Sequence, residues 1–188
     1  MPSTLQFIVK TLLCCLMLTT SIISMANVPA IILDQNSKQI ALGHHASYLE
    51  DIDGNYTLSD IMKLDQSNFD LLTEESLNKG FTNSTYWLKF SILDKTLDSH
   101  SQSWKIETTY PLLDYLDIYI LDKENNVEYF KMGDVYLYNE RPVAHRNFII
   151  SVTLQDNEQK DIYIRENTSS SMQIPVFIWH PDYSFEAR

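Results

Sequence analysis

The chain has 188 residues, with 25 acidic side chains against 14 basic ones and a net charge of −11. Such a surface repels the phosphate backbone of DNA and RNA and anionic lipid, so nucleic acid is excluded as a partner. The length fits one domain whose core needs no staple, and with only four glycines no phosphate-cradling loop can be built.

Taken in chain order, Lys10 precedes an apolar run from Thr11 to Ile23, followed by "SMAN" with Ser24 and Ala26 spaced for a signal peptidase. This predicts a secretory signal peptide over 1–26. The run is short for a membrane span, which needs about 20 apolar residues. An uncleaved anchor is the alternative, and the residues before Cys14 do not suit lipidation. The remaining part, 27–188, holds all 25 acidic residues and 13 of the basic ones, a net charge of −12. Both cysteines, Cys14 and Cys15, precede it, so no disulfide is expected in it.

Short runs of alternating apolar residues then follow one another. "AIIL" (30–33), "KQIAL" (38–42) and "SYLE" (47–50) read as early strands. "TLSDIMKL" (57–64) reads as a short helix, with Thr57 as N-cap and Asp60 three residues on. "LTEESLNKG" (72–80) reads as a second helical turn closed by Gly80. Strands are predicted at 86–93, 103–109, 115–121, 147–154, 161–166 and 173–179, with a weaker one at 126–132. Polar turns separate them at 98–103, 122–126 and 155–160. This spacing predicts an all-β fold, a two-sheet jelly-roll sandwich with one or two short helices in its N-terminal half.

Few residues suggest chemistry. No nucleophile elbow, P-loop or H-E-x-x-H motif is present, and no carboxylate pair is singled out, so no catalytic residue and no enzymatic activity are expected. "DIDGNYTLSD" (51–60) has the oxygen ligands of a calcium loop, but its glycine is misplaced and the closing Glu is missing. A tight turn into the helix explains it with less. His44 and His45 are adjacent and make a poor metal pair, so neither a metal site nor a cofactor is expected.

If the aliphatic residues face the core, Trp87, Tyr115, Tyr119, Tyr163, Phe177 and Trp179 face outward. Flat rings on a sheet suit stacking against sugars, although they also pair across strands or lie under loops. In an acidic chain, "RPVAHRNFII" (141–150) stands out. Parity counted back from Phe148 sends Arg146 inward, where it would need a partner such as Asp114 or Asp117, and sends His145 and Asn147 outward. Two readings stay open. Either Arg146 is a structural clamp, or Arg141, His145 and Asn147 form a polar ligand pocket suited to carboxylates and acidic sugars.

The segments "GFTNSTYWLKFSI" (80–92), "YPLLDYLDIYIL" (110–121), "GDVYLYNERPVAHRNFIISVTL" (133–154) and "IYIRENTSSSMQIPVFIW" (162–179) carry a resemblance. With "YLEDIDGNYTLSDI" (48–61), they resemble the type 2 extracellular domain of seven-transmembrane receptors with diverse intracellular signalling modules, over about residues 40–185. The resemblance implies a periplasmic jelly-roll sensor domain similar to carbohydrate-binding modules. Its implied ligand is a carbohydrate or related small polar molecule. In that family a seven-helix membrane region and a cytoplasmic output module follow. Here the sequence stops at Arg188, so a truncated receptor and a stand-alone domain are both open. Trp87, Tyr110, Asp114, Arg141, Pro142, His145, Arg146 and Asn147 occupy the motif positions. Trp87, Tyr110, Tyr115, Arg141, His145, Arg146, Asn147 and Trp179 are the candidate ligand-binding residues. The rival expectation is that the exposed rings form a dimerisation or receptor-partner face.

Overall fold

The computed structural model describes residues 28–96 and 101–183; the predicted signal peptide and the first part of the 98–103 turn lie outside them. Strands β1 (Ile31–Leu33), β2 (Gln39–Ala41) and β3 (Ser47–Asp51) come first. The helix α1 (Leu58–Ile61) follows. Then come β4 (Asp70–Leu71), β5 (Leu77–Phe81), β6 (Thr85–Asp94), β7 (Gln102–Thr108), β8 (Tyr115–Leu121) and β9 (Val127–Met132). The chain closes with β10 (Phe148–Leu154), β11 (Gln159–Asn167), β12 (Ser171–Ile174) and β13 (Val176–Trp179).

One layer is a seven-stranded sheet in the order β4-β3-β6-β11-β8-β9, with β1 parallel beside the C-terminal half of β6. The other layer has the order β10-β7-β13-β2, and a two-stranded sheet, β12-β5, stands apart from both. Every pairing except β1 with β6 is antiparallel. This is the predicted jelly-roll sandwich, and the predicted alternation sets its core. Leu88, Phe90 and Ile92 meet Ile118, Ile162 and Ile164 on one inner face, with Trp104, Ile106, Ile150, Val152 and Ile178 in the same cluster. Each such side chain contributes about 1.5–3 kcal/mol by burial.

Two expectations are corrected. The predicted helical turn at 72–80 is a bend followed by β5; Gly80 has φ +63 inside that strand, not at a helix end. The predicted strand at 173–179 is two strands, because Pro175 between them has no N–H to donate. Its carbonyl still accepts from Thr109 N at 3.0 Å, while β12 pairs with β5 and β13 with β7.

The expected helix forms as its sequence requires. Thr57 Oγ1 accepts from Asp60 N at 3.4 Å, and the Asp60 carboxylate accepts from Thr57 N at 3.0 Å. Asp51 closes the preceding turn by accepting from Asn55 N and Tyr56 N at 3.1 and 2.9 Å, so its carboxylate serves the turn. Beyond it, Ile61 and Phe69 cover the outer face of the large sheet over Trp87, Leu121 and Tyr163.

The register sorts the connections into two ends. At one end lie the polar turns that follow β1, β8 and β10. At the other lie the connections after β3, β7, β9 and β11. This second end carries the cationic segment.

Candidate functional site

The site is built on Glu107. In β7, Trp104, Ile106 and Thr108 point inward, so Glu107 points to the outer face of the four-stranded sheet. It is almost fully buried there. One carboxylate oxygen accepts from Asn147 Nδ2 at 2.7 Å and the other from Trp179 Nε1 at 2.8 Å. A buried carboxylate needs such donors, since an unpaired one is costly. The brace ties the central strand β7 to β13 on one side and to the start of β10 on the other. Asn147 is thus on the outer face, as predicted, but buried rather than open.

The segment before Asn147 is shaped by Arg141. Its Nη1 donates to His145 O at 2.9 Å and to Arg146 O at 2.7 Å. Its guanidinium lies 4.5 Å from the Phe148 ring centre and 5.2 Å from that of Tyr138. A flat, forked donor that also stacks on rings suits this position, and a lysine would not. His145 Nδ1 accepts from Asn147 N at 3.1 Å.

Of the two open readings, the clamp does not fit Arg146, and Arg141 fills that role instead. Arg146 is exposed and its guanidinium has no partner among the described residues. The strand starts at Phe148, and 141–147 is a series of bends, so alternation does not extend back to Arg146. Neither proposed partner is available to it. Asp114 accepts from Ser169 N and Oγ at 2.6 and 2.7 Å, and these bonds hold its carboxyl below the usual range. Asp117 accepts from Tyr129 Oη at 2.6 Å and pairs with Arg165 at 3.4 Å.

The eight candidate residues thus divide. Arg141, His145, Arg146, Asn147 and, through Glu107, Trp179 form one linked group. Trp87 is excluded from any surface site: its accessibility is 0%, with α1 and Phe69 in the cluster that covers it. Tyr110 is half-buried and packs on the core. Tyr115 is exposed on the other sheet, edge-on to Tyr136 at 6.1 Å. The outward rings of that sheet pair with one another: Trp87 with Tyr119 at 5.9 Å, and Tyr119 with Tyr129 at 4.9 Å. Burial also pushes the Tyr163 hydroxyl up to about 12. Sequence reasoning missed Glu107. Its signal was a charged residue at outward parity in a central strand.

Among the described residues, clefts open elsewhere beside Tyr48 and Lys79 and beside Asp122 and Lys160; no candidate residue lines either. Among the described residues no group of three His, Cys, Asp or Glu side chains is placed to hold a metal ion. No helix among them is long and apolar enough to cross a membrane.

The family model described as 7TMR-DISM extracellular 2 matches residues 43–180, from the turn before β3 to the end of β13. The chain belongs to the 7TMR-DISM extracellular 2 family. The match contains the whole linked group, the brace and the loop end. No curated relative matches the chain in sequence.

Among solved structures, the chain is similar to a Bacillus thuringiensis Cry1Da tryptic core variant, at TM-score 0.38 and 12% identity, covering 83% of this chain and 25% of that one. It is similar to the GH31 alpha-xylosidase Xac1773 from Xanthomonas citri, at TM-score 0.30 and 9% identity over 79% and 17%. It is also similar to a carbohydrate-binding module of the beta-sandwich superfamily, at TM-score 0.26 and 8% identity over 79% and 57%. The chain spans less than two thirds of each of these. At such scores the likenesses carry no functional argument.

Proposed function

We propose that this 7TMR-DISM extracellular 2 domain is a periplasmic ligand-binding sensor that recognises a small polar molecule, of which a carbohydrate bearing a carboxylate fits best. The observation that carries this reading is an exposed Arg146, with no guanidinium partner among the described residues, on a backbone fixed from both sides. Arg141 holds the carbonyls on one side, and the Glu107 brace holds Asn147 on the other. A guanidinium held this way meets a carboxylate by two-point hydrogen bonding without first ordering its loop. Tyr138 and Trp179 supply ring surface at the two sides of the segment. The domain binds rather than catalyses on this reading: Glu107 and Asp114 are each engaged by two donors.

Thermal-shift screening of the protein against neutral sugars, uronic acids and polyols tests the proposal. Binding at a hundredfold excess over the dissociation constant stabilises by about 2.7 kcal/mol. The expected result is an upward shift with acidic sugars that Arg146→Ala removes. A flat screen with cooperatively folded protein would sink the proposal, and so would a shift that survives in Arg146→Ala.

A second reading, a protein-interaction module, is favoured by one observation. Ile52, Phe81, Leu112, Val135 and Leu137 are exposed, Phe81 to 85%, and all lie at the loop end. Mass measured over a range of concentrations separates the two readings. A dimer lost in Leu137→Asp favours the second.

A further inference from the structure

Glu166 stands in the core without a hydrogen-bond partner among the described residues. Its accessibility is 0%, and neither carboxylate oxygen accepts a hydrogen bond. It points inward from β11 in line with Ile162 and Ile164. In register beside it are Tyr86 of β6 and Leu116 of β8, with Glu50 of β3 and Met132 of β9 beyond them. The inward residues of the opposing strands at this end are Thr108, Phe148, Val176 and Met172, none of them titratable. Lys79 of β5 is bonded to Tyr48 at 2.9 Å and acts on Glu50. Tyr86 is pushed up to about 12 and stays neutral. Burial alone pushes the Glu166 carboxyl well above the usual range. An isolated charge in that row would be costly, so the group is held as a neutral acid.

The residues that follow it form a dense set of bonds. Asn167 Nδ2 donates to Thr85 Oγ1 at 3.0 Å, and Thr168 Oγ1 donates to Leu112 O at 3.3 Å. Ser169 donates twice to Asp114, and Ser170 N donates to Thr168 Oγ1 at 3.1 Å. This four-residue latch joins the end of the large sheet to the 109–114 turn and hands the chain to β12.

We propose that Glu166 is a proton-controlled seat for this latch. As the neutral acid it keeps the end of β11 in the core. Loss of its proton to water or a buffer base, with no other covalent bond changed, draws the side chain toward solvent and opens the hydrogen bonds of Asn167–Ser170. The loop end that carries Arg146 then loosens. This device is independent of which ligand, if any, the domain binds.

The sign follows from linkage. A group raised in the folded state contributes stability that is full below its unfolded value and lost as pH rises toward its folded one. In that window the folded-to-unfolded ratio falls by up to about tenfold per pH unit.

The test is a titration of the full chain, from about pH 5 to about pH 9, by NMR and thermal melts. In the parent, the amide signals of 167–170 and 112–114 should move together, and the melting midpoint should fall. In Glu166→Gln both should stay flat. Glu166→Leu, which fills the site without a polar group, should also be flat and decides the matter should the Gln variant fail to fold. A Glu166 carboxyl carbon titrating in the ordinary carboxylate range overturns the proposal without any variant. So does a latch whose signals stay fixed in the parent or move equally in a folded variant.

Discussion

Trp87→Ala tests the most consequential correction to the outward-ring idea. Trp87 sits in β6, on the face away from the core, yet it has no exposed surface. It packs with Ile61, Phe69, Leu121 and Tyr163 and stacks on Tyr119 at an interplanar angle of 18°. Removing a buried tryptophan leaves a cavity and costs about 3–5 kcal/mol. For a domain of this size each kcal/mol shifts Tm by roughly 2–4 °C, so a fall of about 6–20 °C is expected. The indole Nε1 has no hydrogen-bond partner, so Trp87→Phe should cost much less. Tyr129→Ala is the control: that ring is exposed, and losing its stack on Tyr119 should cost about 0.5–1.5 kcal/mol. Differential scanning calorimetry reads all three. A Trp87→Ala melting point within about 2 °C of the parent would refute the cover by α1 and return this ring to the candidate surface.

Arg141→Ala should destabilise the protein by about 1–3 kcal/mol, because two carbonyls lose a charged donor; Arg141→Lys should not restore it, and denaturant midpoints decide. Asp114 is depressed by its bonds to Ser169, so its contribution is present above the ordinary carboxylate value and lost as pH falls through its folded value. Melting curves in acid should therefore fall less steeply for Asp114→Asn than for the parent. Gly133→Ala should fail to fold or displace the 133–136 turn: the backbone has φ +141, and a Cβ would lie 2.0 Å from Asp114 O. Circular dichroism of purified Gly133→Ala, compared with the parent, checks this.

Much of the fold could be read from periodicity because each long strand buries one face. Leu88, Phe90 and Ile92 alternate with residues that a core does not need, and the same holds in β7, β8, β10 and β11. Reading failed where local pattern and tertiary pairing part company. Residues 72–80 are polar and end in glycine, as a helical turn would, but pairing with β12 makes 77–81 a strand. Parity puts Trp87 on its correct face, yet what covers that face comes from a segment some twenty residues upstream, which parity does not encode. The inward placement of Arg146 fails for a similar reason. The period-2 rule does not cross bends, where a side chain's direction is set by turn geometry.

The motif segments that resemble the family meet at the loop end, and their roles there are mainly to fix backbone. "YPLLD" supplies the Leu112 and Leu113 carbonyls and the Asp114 carboxylate. "GD" supplies Gly133, at a site with no room for a Cβ, and Asp134 N, which donates to Leu113 O at 2.6 Å. "RENTSS" supplies the latch, and "RPVAHRNF" supplies Arg141 and Asn147, the two ends of the cationic bend. Most polar groups in these motifs are consumed by the protein itself. The exposed Arg146 is not among them, standing between Arg141's carbonyl contacts and the Glu107 brace. On the proposed reading, donors that hold a turn still beside an exposed guanidinium give the preorganised geometry that recognition of an anion needs.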